Sequence, residues 1–317
     1  MTNASGRRLF CFGYGFTASA LGALLGPAGW SLVGTCRTAE GCRALAEAEV
    51  EAVPFSRDAP LADAAGRLAG ATHILLSIPP DQDGDPALNC HGADIAALSG
   101  VEWIGYLSTT GVYGDTGGAW VDESAAPAPT GERGRRRLGA ENAWLAFGRR
   151  HGLAVHVFRL AGIYGPGRSA LAAVRRGAAR RIEKPGHVFS RIHVADIAQV
   201  LAASIARLRP GAIYNVCDDE PAPGADVVAY ACTLLGAPPP PLVPLEKADL
   251  SPMARSFYAD NRRVCNARIK SELGVTLRFP DYRAGLASLL ADEAGEPQPT
   301  AARPGKASRS QNATELR

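Results

Sequence analysis

Six short apolar runs, at residues 9–12, 31–35, 50–53, 73–76, 103–107 and 155–159, alternate with stretches whose apolar side chains recur at helical spacing, at 17–25, 43–48, 93–98 and 138–150. Runs this short, separated by helix-length segments, predict βα units, because parallel strands can be joined only by crossovers long enough to carry a helix. The expected fold class is therefore α/β: a Rossmann-type doubly wound parallel sheet with a smaller C-terminal substrate-binding lobe. The second half is less regular, and the proline run at 238–241 blocks a helix or a central strand there. No internal repeat interrupts this pattern.

A chain of 317 residues with 46% hydrophobic and 21% charged residues can bury a large core. Its formal charge of +3 comes mostly from arginines scattered through both halves, which predicts neither a nucleic-acid nor a membrane partner. Arg133, Arg135, Arg136 and Arg137 form the one local cluster. Seven cysteines, with no Cys-x-x-Cys pair and no Cys/His metal spacing, fit a reducing compartment and argue against a disulfide scaffold and a zinc site. No apolar run is long enough to span a bilayer and no cleavable leader is visible, so a cytoplasmic location is expected. The segment 295–317, rich in Pro, Ser, Arg, Gln and Thr, reads as a disordered tail.

Gly13-Tyr14-Gly15-Phe16-Thr17-Ala18 follows the first strand and opens the first helix. Gly13 permits a tight turn, Gly15 lets backbone approach a pyrophosphate, and small Ala18 allows close helix–strand packing, with the helix N-terminus facing the negative charge. The alternative is a glycine turn with no ligand. At the end of the second strand an acid would hold a ribose 2′-hydroxyl, whereas an arginine grips a 2′-phosphate. Here Thr35-Cys36-Arg37-Thr38 offers no acid before Glu40, so NADP(H) is favoured over NAD(H); the alternative is a solvated Arg37. Arg57-Asp58 after the third strand and Ser77-Ile78-Pro79-Pro80 after the fourth lie at strand C-termini, where adenine and pyrophosphate contacts collect, or else are loop residues. The cofactor set is thus Gly13, Gly15, Phe16, Thr17, Arg37, Asp58, Ser77, Ile78 and Pro79, together with Ser108 on the fifth strand.

Tyr106-Leu107-Ser108-Thr109-Thr110-Gly111-Val112-Tyr113-Gly114 resembles the fifth-strand motif of the extended short-chain dehydrogenases/reductases, the epimerase/dehydratase-like enzymes. The resemblance continues through Arg159-Leu160-Ala161-Gly162-Ile163-Tyr164-Gly165-Pro166, Arg191-Ile192-His193-Val194-Ala195-Asp196 and Tyr214-Asn215-Val216, covering roughly residues 8–290. Asp260-Asn261-Arg262-Arg263-Val264, then Asn266-Ala267-Arg268-Ile269-Lys270 and Leu273-Gly274, are similar to an atypical group classed as nucleoside-diphosphate-sugar epimerases. The resemblance implies an NAD(P)-binding domain over 1–165, to which 190–216 returns, and a mainly substrate-binding lobe over 166–294. It also implies a homodimer through helices that include the one bearing the catalytic pair, although an arginine-rich face there opposes a tight apolar interface.

Catalysis in this family uses a Ser or Thr, a Tyr and a Lys. Thr109 matches the first position. The helical Tyr-x-x-x-Lys-Leu-x-x-Glu stretch falls on Arg133-Gly134-Arg135-Arg136-Arg137-Leu138-Gly139-Ala140-Glu141, so both catalytic positions hold arginine. A guanidinium stays protonated and cannot serve as acid or base, but it can stabilise an oxyanion, and Arg137 lies one turn from Arg133 on the same face. The alternative for the whole cluster is a solvated helix face. Tyr113 and Tyr164 are the nearest replacement phenols, or else packing residues; His193 reads as a loop anchor and Asp196 as its partner at a helix start. The candidate catalytic residues are Thr109, Arg133, Arg137 and Tyr164.

Arg168, Arg175, Arg176, Arg262 and Arg263 offer guanidinium forks for an anionic substrate, of which a diphosphate sugar is the family-based expectation. Thr110 and Gly111, where the dehydratases place acids, count against 4,6-dehydration. Two functions remain: an NADP(H)-dependent oxidoreductase or epimerase on a small anionic carbonyl or sugar compound, and a non-catalytic dinucleotide sensor that has lost the Tyr-Lys pair.

Overall fold

The computed structural model describes residues 6–295, so all but the first residue of the segment read as a disordered tail lies outside the described residues. The N-terminal half builds βα units in chain order: β1 (Arg8–Phe12), α1 (Phe16–Leu25), β2 (Ser31–Cys36), α2 (Ala39–Glu47), β3 (Glu51–Pro54), α3 (Ala64–Leu68), β4 (His73–Leu76), α4 (Pro86–Ala96) and β5 (Trp103–Thr109). A short β6 (Trp120–Val121), α5 (Glu132–His151) and β7 (Val155–Leu160) follow. Side chains of a strand alternate between faces, so a strand buried on both sides must be apolar throughout. In β1, Leu9 and Cys11 enter one core while Phe10 and Phe12 enter the other. In β5, Trp103 and Leu107 face the first core and Ile104 and Tyr106 the second, and a Cβ on Gly105 would strike the Trp103 ring.

The main sheet has seven parallel strands in the order β3-β2-β1-β4-β5-β7-β11, the last being Ile213–Val216. Strand order reverses between β1 and β4, and the crevice beyond the carboxyl ends of that pair is where such sheets take ligands. The seventh strand corrects the sequence expectation of six. Asn215 interrupts its apolar run, and the fold holds it by three hydrogen bonds: its backbone N–H donates to Glu123 Oε1 at 2.7 Å, Oδ1 accepts from the Tyr113 hydroxyl at 2.8 Å, and Nδ2 donates to the Cys265 carbonyl at 3.2 Å. Helices α4 and α5 begin earlier than apolar periodicity indicates, because their first turns are set by caps and polar residues. Asp85 accepts from Leu88 N at 3.0 Å ahead of Pro86, a residue suited to the first helical position.

After β8 (Gly162–Tyr164) come α6 (Ala170–Arg175), β9 (Arg181–Glu183), β10 (Arg191–His193), α7 (Val194–Ala206), β11 and α8 (Gly224–Leu234). The chain closes with β12 (Leu242–Pro244), α9 (Pro252–Ser256), β13 (Arg263–Val264), α10 (Ala267–Leu273) and α11 (Tyr282–Gly295). Three two-stranded parallel pairs, β8–β10, β9–β12 and β6–β13, stand apart from the main sheet. Tyr164, Leu171, Val227, Ala231, Tyr282, Leu286 and Leu289 form a separate small core among α6, α8 and α11.

Cysteine pairing also departs from expectation. Cys36 and Cys42 are joined, with Cα atoms 5.5 Å apart, while Cys11, Cys90, Cys217, Cys232 and Cys265 are free. A spacing of six residues carries no disulfide signature in sequence. The turn at the end of β2, where Thr38 caps α2 by accepting from Gly41 N at 3.1 Å, brings the two together.

Candidate functional site

The glycine turn lies at the carboxyl end of β1. Gly13 has φ +85°, and a Cβ there would come within 2.9 Å of the Ile78 side chain; its N–H donates to Thr35 Oγ1 at 2.7 Å. Thr35 thus fixes the turn, a role its sequence position did not announce. Gly15 is different: its backbone is extended, and a Cβ on it would meet nothing within 4 Å. The first turn of α1 has neither a side-chain cap nor an acidic residue, so the orphan N–H groups and positive end of the helix are uncompensated. Tyr14, between the glycines, packs away from this opening against Gly34 and Gly22. An uncapped helix terminus behind an open glycine cradle fits a dinucleotide pyrophosphate.

The other residues of the cofactor set divide. Arg37, at the end of β2, is exposed and joins no described ion pair. Phe16 and half-buried Ser77 and Ile78 flank the glycine turn, Pro79 is exposed beyond them, and Thr17 is buried in the first turn of α1. Asp58 is exposed in the bend after β3. Arg57 beside it is a tie between loops, donating to both carboxylate oxygens of Asp81 at 2.6 and 2.7 Å and to the Gly84 carbonyl at 3.1 Å. Ser108 is buried and its hydroxyl donates to Glu141, which turns that side chain into the protein rather than toward the cradle.

Thr109 ends β5, half-buried. Its Oγ1 accepts from Gly111 N at 3.1 Å, and its own proton has no described acceptor, leaving it able to donate to a carbonyl or alkoxide oxygen. The start of α5 crowds this loop, since a Cβ on Gly134 would lie 3.0 Å from the Gly111 carbonyl. Arg262 reaches the loop from the C-terminal segment: Nη1 donates to the Gly114 carbonyl at 2.7 Å and pairs with Asp260 at 3.0 Å, and Nη2 lies 3.9 Å from where a Cβ on Gly111 would stand.

The four arginines of α5 play separate parts. Arg135 and Arg136 both pair with Glu132, at 3.0 and 2.9 Å, as on a solvated face. Arg133 is exposed and joins no described hydrogen bond or ion pair. Arg137 turns inward, donating to the Leu107 carbonyl at 2.5 Å with its guanidinium carbon 5.8 Å from the Tyr106 ring centre. Both candidate positions are thus cationic, but α5 contains neither a phenol nor an amine.

Neither alternative phenol stands free at Thr109. The Tyr113 hydroxyl is bonded to Asn215, Arg159 lies 4.8 Å over its ring, and burial raises its pKa. Tyr164 lies in β8 with its hydroxyl donating to the Asp281 carbonyl at 3.4 Å and its ring edge-on to His193. Burial, reinforced by the Asp218 charge, drives its pKa far up, and no described contact joins it to Thr109. His193 caps α7 by accepting from Ala195 N, as expected; Asp196 instead accepts from the N–H groups of Arg278 and Phe279, at 2.7 and 3.1 Å, tethering a distant segment.

Among the lobe arginines, Arg175 is paired with Glu293 and Arg263 with the Gly118 carbonyl. Arg168, 5.9 Å from the Phe16 ring centre, and Arg176 line a cavity of about 330 Å³ with Tyr164, Tyr282 and Arg191. Arg191 was visible in sequence only as a motif letter; its burial is a tertiary property.

Residues 88–217, from α4 through β11, match the sequence model of the NAD dependent epimerase/dehydratase family. The chain is 26% identical over 285 residues to protein YeeZ of Escherichia coli strain K12, spanning 87% of this chain and 97% of that protein. A structure described as a functionally unknown conserved protein from Silicibacter pomeroyi DSS is 53% identical, with a TM-score of 0.84, over 90% of this chain and 99% of that one. The structure of MoeE5 in complex with UDP-glucuronic acid and NAD shares the fold, with a TM-score of 0.71 and 21% identity over 91% of this chain and 99% of that one. The ordered motifs, the parallel sheet and these matches agree: residues 88–217 carry the sequence pattern of the NAD dependent epimerase/dehydratase family, on a fold shared with solved epimerase and dehydratase structures.

Proposed function

We propose that this protein is an NADP(H)-dependent oxidoreductase or epimerase acting on a small anionic carbonyl or nucleotide-sugar-like compound. The observation that carries the reading is the uncapped, acid-free N-terminus of α1 behind Gly15, with open space where a side chain would project. The phosphorylated cofactor is favoured because exposed Arg37, and no acid, closes β2. The cofactor would supply the hydride chemistry. Thr109 would orient the substrate oxygen with its free hydroxyl proton, and the cationic pair Arg133 and Arg137 would stabilise negative charge building on that oxygen. Epimerisation and carbonyl reduction remain the two reactions, since Thr110 and Gly111 stand where the 4,6-dehydratases carry acids. MoeE5, with its bound UDP-glucuronic acid, supports a sugar-nucleotide-like substrate by analogy of fold alone.

A second reading, a non-catalytic dinucleotide sensor, is favoured by one specific feature. Arg137 is occupied by the Leu107 carbonyl and the hydroxyls of Tyr113 and Tyr164 are taken up in hydrogen bonds, so among the described residues neither candidate phenol is free to transfer a proton at Thr109.

Calorimetric titration with NADPH, NADP+, NADH and NAD+, beside an Arg37→Ala variant, tests the cofactor half. Binding of the phosphorylated pair, weakened at least about tenfold in the variant, is expected; one cationic contact to a phosphate is worth that much. Absence of binding by all four nucleotides would end both readings. Hydride transfer lost in Thr109→Ala separates the enzyme from the sensor.

A further inference from the structure

We propose that Cys36 and Cys42 form a reversible redox site that sets how strongly the protein prefers the phosphorylated dinucleotide, strongly as a disulfide and weakly as a dithiol. This rests on the assignment of Arg37 to the ribose 2′-phosphate given above. The two cysteines bracket that residue. Cys36 ends β2, and Cys42 closes the first turn of α2, its N–H donating to the Thr38 carbonyl at 3.0 Å. Their bond makes a ring of residues 36–42 with exposed Arg37 inside it.

The two ends of the ring stand on unequal ground. The end of β2 is fixed: Thr35 accepts from Gly13 N through Oγ1 at 2.7 Å and from Tyr14 N through its carbonyl at 3.2 Å, and the Cys36 carbonyl accepts from Phe55 N at 2.9 Å. Helix α2 is loosely held. Gly41, Cys42 and Leu45 are half-buried and its other residues are exposed. A helix of nine residues is marginal without a packed apolar face, so α2 and the turn before it belong to the part of the fold that opens most easily. The disulfide ties this turn to the strand that carries the glycine cradle, and so holds Arg37 in register with the pyrophosphate end. A loop ordered before its ligand arrives loses less freedom on binding. Only a cofactor with a phosphate at that place gains from the order, because only it meets Arg37.

The fold accommodates both oxidation states. The Cα atoms are 5.5 Å apart, a separation a disulfide spans without backbone movement. In the dithiol, Cys36 Sγ has an acceptor for its proton in the Val53 carbonyl, 3.6 Å away. Cys42 is half-buried and Cys36 buried, so Cys42 meets a reagent from solvent first. The oxidant is a low-molecular-weight disulfide. The Cys42 thiolate attacks one of its sulfurs, breaking the S–S bond and releasing one thiol; the Cys36 thiolate then attacks the Cys42 sulfur and releases the second. Two electrons pass from the pair to the oxidant, and the two cysteine protons end on the released thiols.

The test is calorimetric titration of the full chain with NADP+ and with NAD+, after oxidation by glutathione disulfide and after reduction by dithiothreitol. Oxidation is expected to raise the ratio of NADP+ to NAD+ affinity about fivefold or more. Cys42→Ser, and Cys36→Ala as a second way to break the pair, keep the reduced value in both buffers. Without nucleotide, amide exchange over residues 37–47 should quicken about tenfold on reduction. The proposal is overturned if the affinity ratio or the exchange is the same in both states, if oxidation lowers the ratio, or if the cysteine variants still respond. Arg37→Ala in the oxidised form tells the two failures apart. If it leaves the ratio unchanged, the cofactor reading has failed; if it collapses the ratio while reduction does not, the redox site has failed and the cofactor reading stands.

Discussion

Gly13 and Gly15 have different parts in the turn motif, and the fold gives them opposite surroundings. Gly13 needs a left-handed backbone and lies against Ile78, so Gly13→Ala is expected to destabilise the protein by about 1–2 kcal/mol in urea unfolding. Gly15 has an extended backbone and open space around its missing side chain. Gly15→Val should therefore change stability by less than about 1 kcal/mol while abolishing nucleotide binding. If Gly15→Val unfolded the protein, or bound nucleotide normally, the cradle would be wrongly located. The turn motif was legible from its letters. The separate parts of the two glycines were legible from their spacing as well; the contact with Ile78 was not, because it depends on β4 packing beside β1 and delivering that side chain beneath Gly13.

Among elements, α5 best illustrates how one sequence segment carries two roles. Its outer face presents Arg135 and Arg136 paired with Glu132, whereas its inner face buries Glu141 against Arg159 of β7 at 2.9 Å, with Ser108 of β5 as a third member. The ion pair is almost wholly buried, with side chains 1% and 3% exposed, and removing one partner strands the other charge. Glu141→Gln is expected to destabilise by about 3 kcal/mol, and the double change Glu141→Leu with Arg159→Met to recover much of that loss. A loss below about 1 kcal/mol in the single variant would show that the network does not lock α5 to the sheet. In sequence Glu141 served only to align a motif. Its partner lies 18 residues away on another element, so the pairing exists only once β7 and α5 have packed.

For the whole molecule, buried titratable groups set opposing pH limits. His73, His156 and His193 are held neutral by burial, with pKa values lowered to about 4 from 6.5. The unfolded chain binds their protons more readily, so their contribution is lost as pH falls from 6.5 through about 4. Asp218 has the opposite sign: its pKa is raised from 3.8 to about 8, so the stability of its protonated form is complete below 3.8 and is lost as pH rises through 8. Stability should fall on both sides of a maximum near neutrality, and Asp218→Asn should gain on wild type as pH rises from 5 to 8. Denaturant titrations at pH 5, 6.5 and 8 check this; a wild-type to variant difference independent of pH would remove Asp218 from the account. The sequence by itself determined the alternating βα architecture and the glycine turn, because these follow from periodicity and from side-chain chemistry at short spacing; the resemblance of its ordered motifs pointed to the epimerase/dehydratase-like enzymes and implied arginines at two catalytic positions. Tertiary structure alone decided the seventh strand hidden by Asn215, the Cys36–Cys42 pairing, the inward turn of Arg137 and the gathering of Arg168, Arg176 and Arg191 around one cavity. Those features join residues that are distant in the chain or depend on local turn geometry, and burial, which changes what a charge or a hydroxyl can do, is a property of the packed molecule and of no single stretch of it.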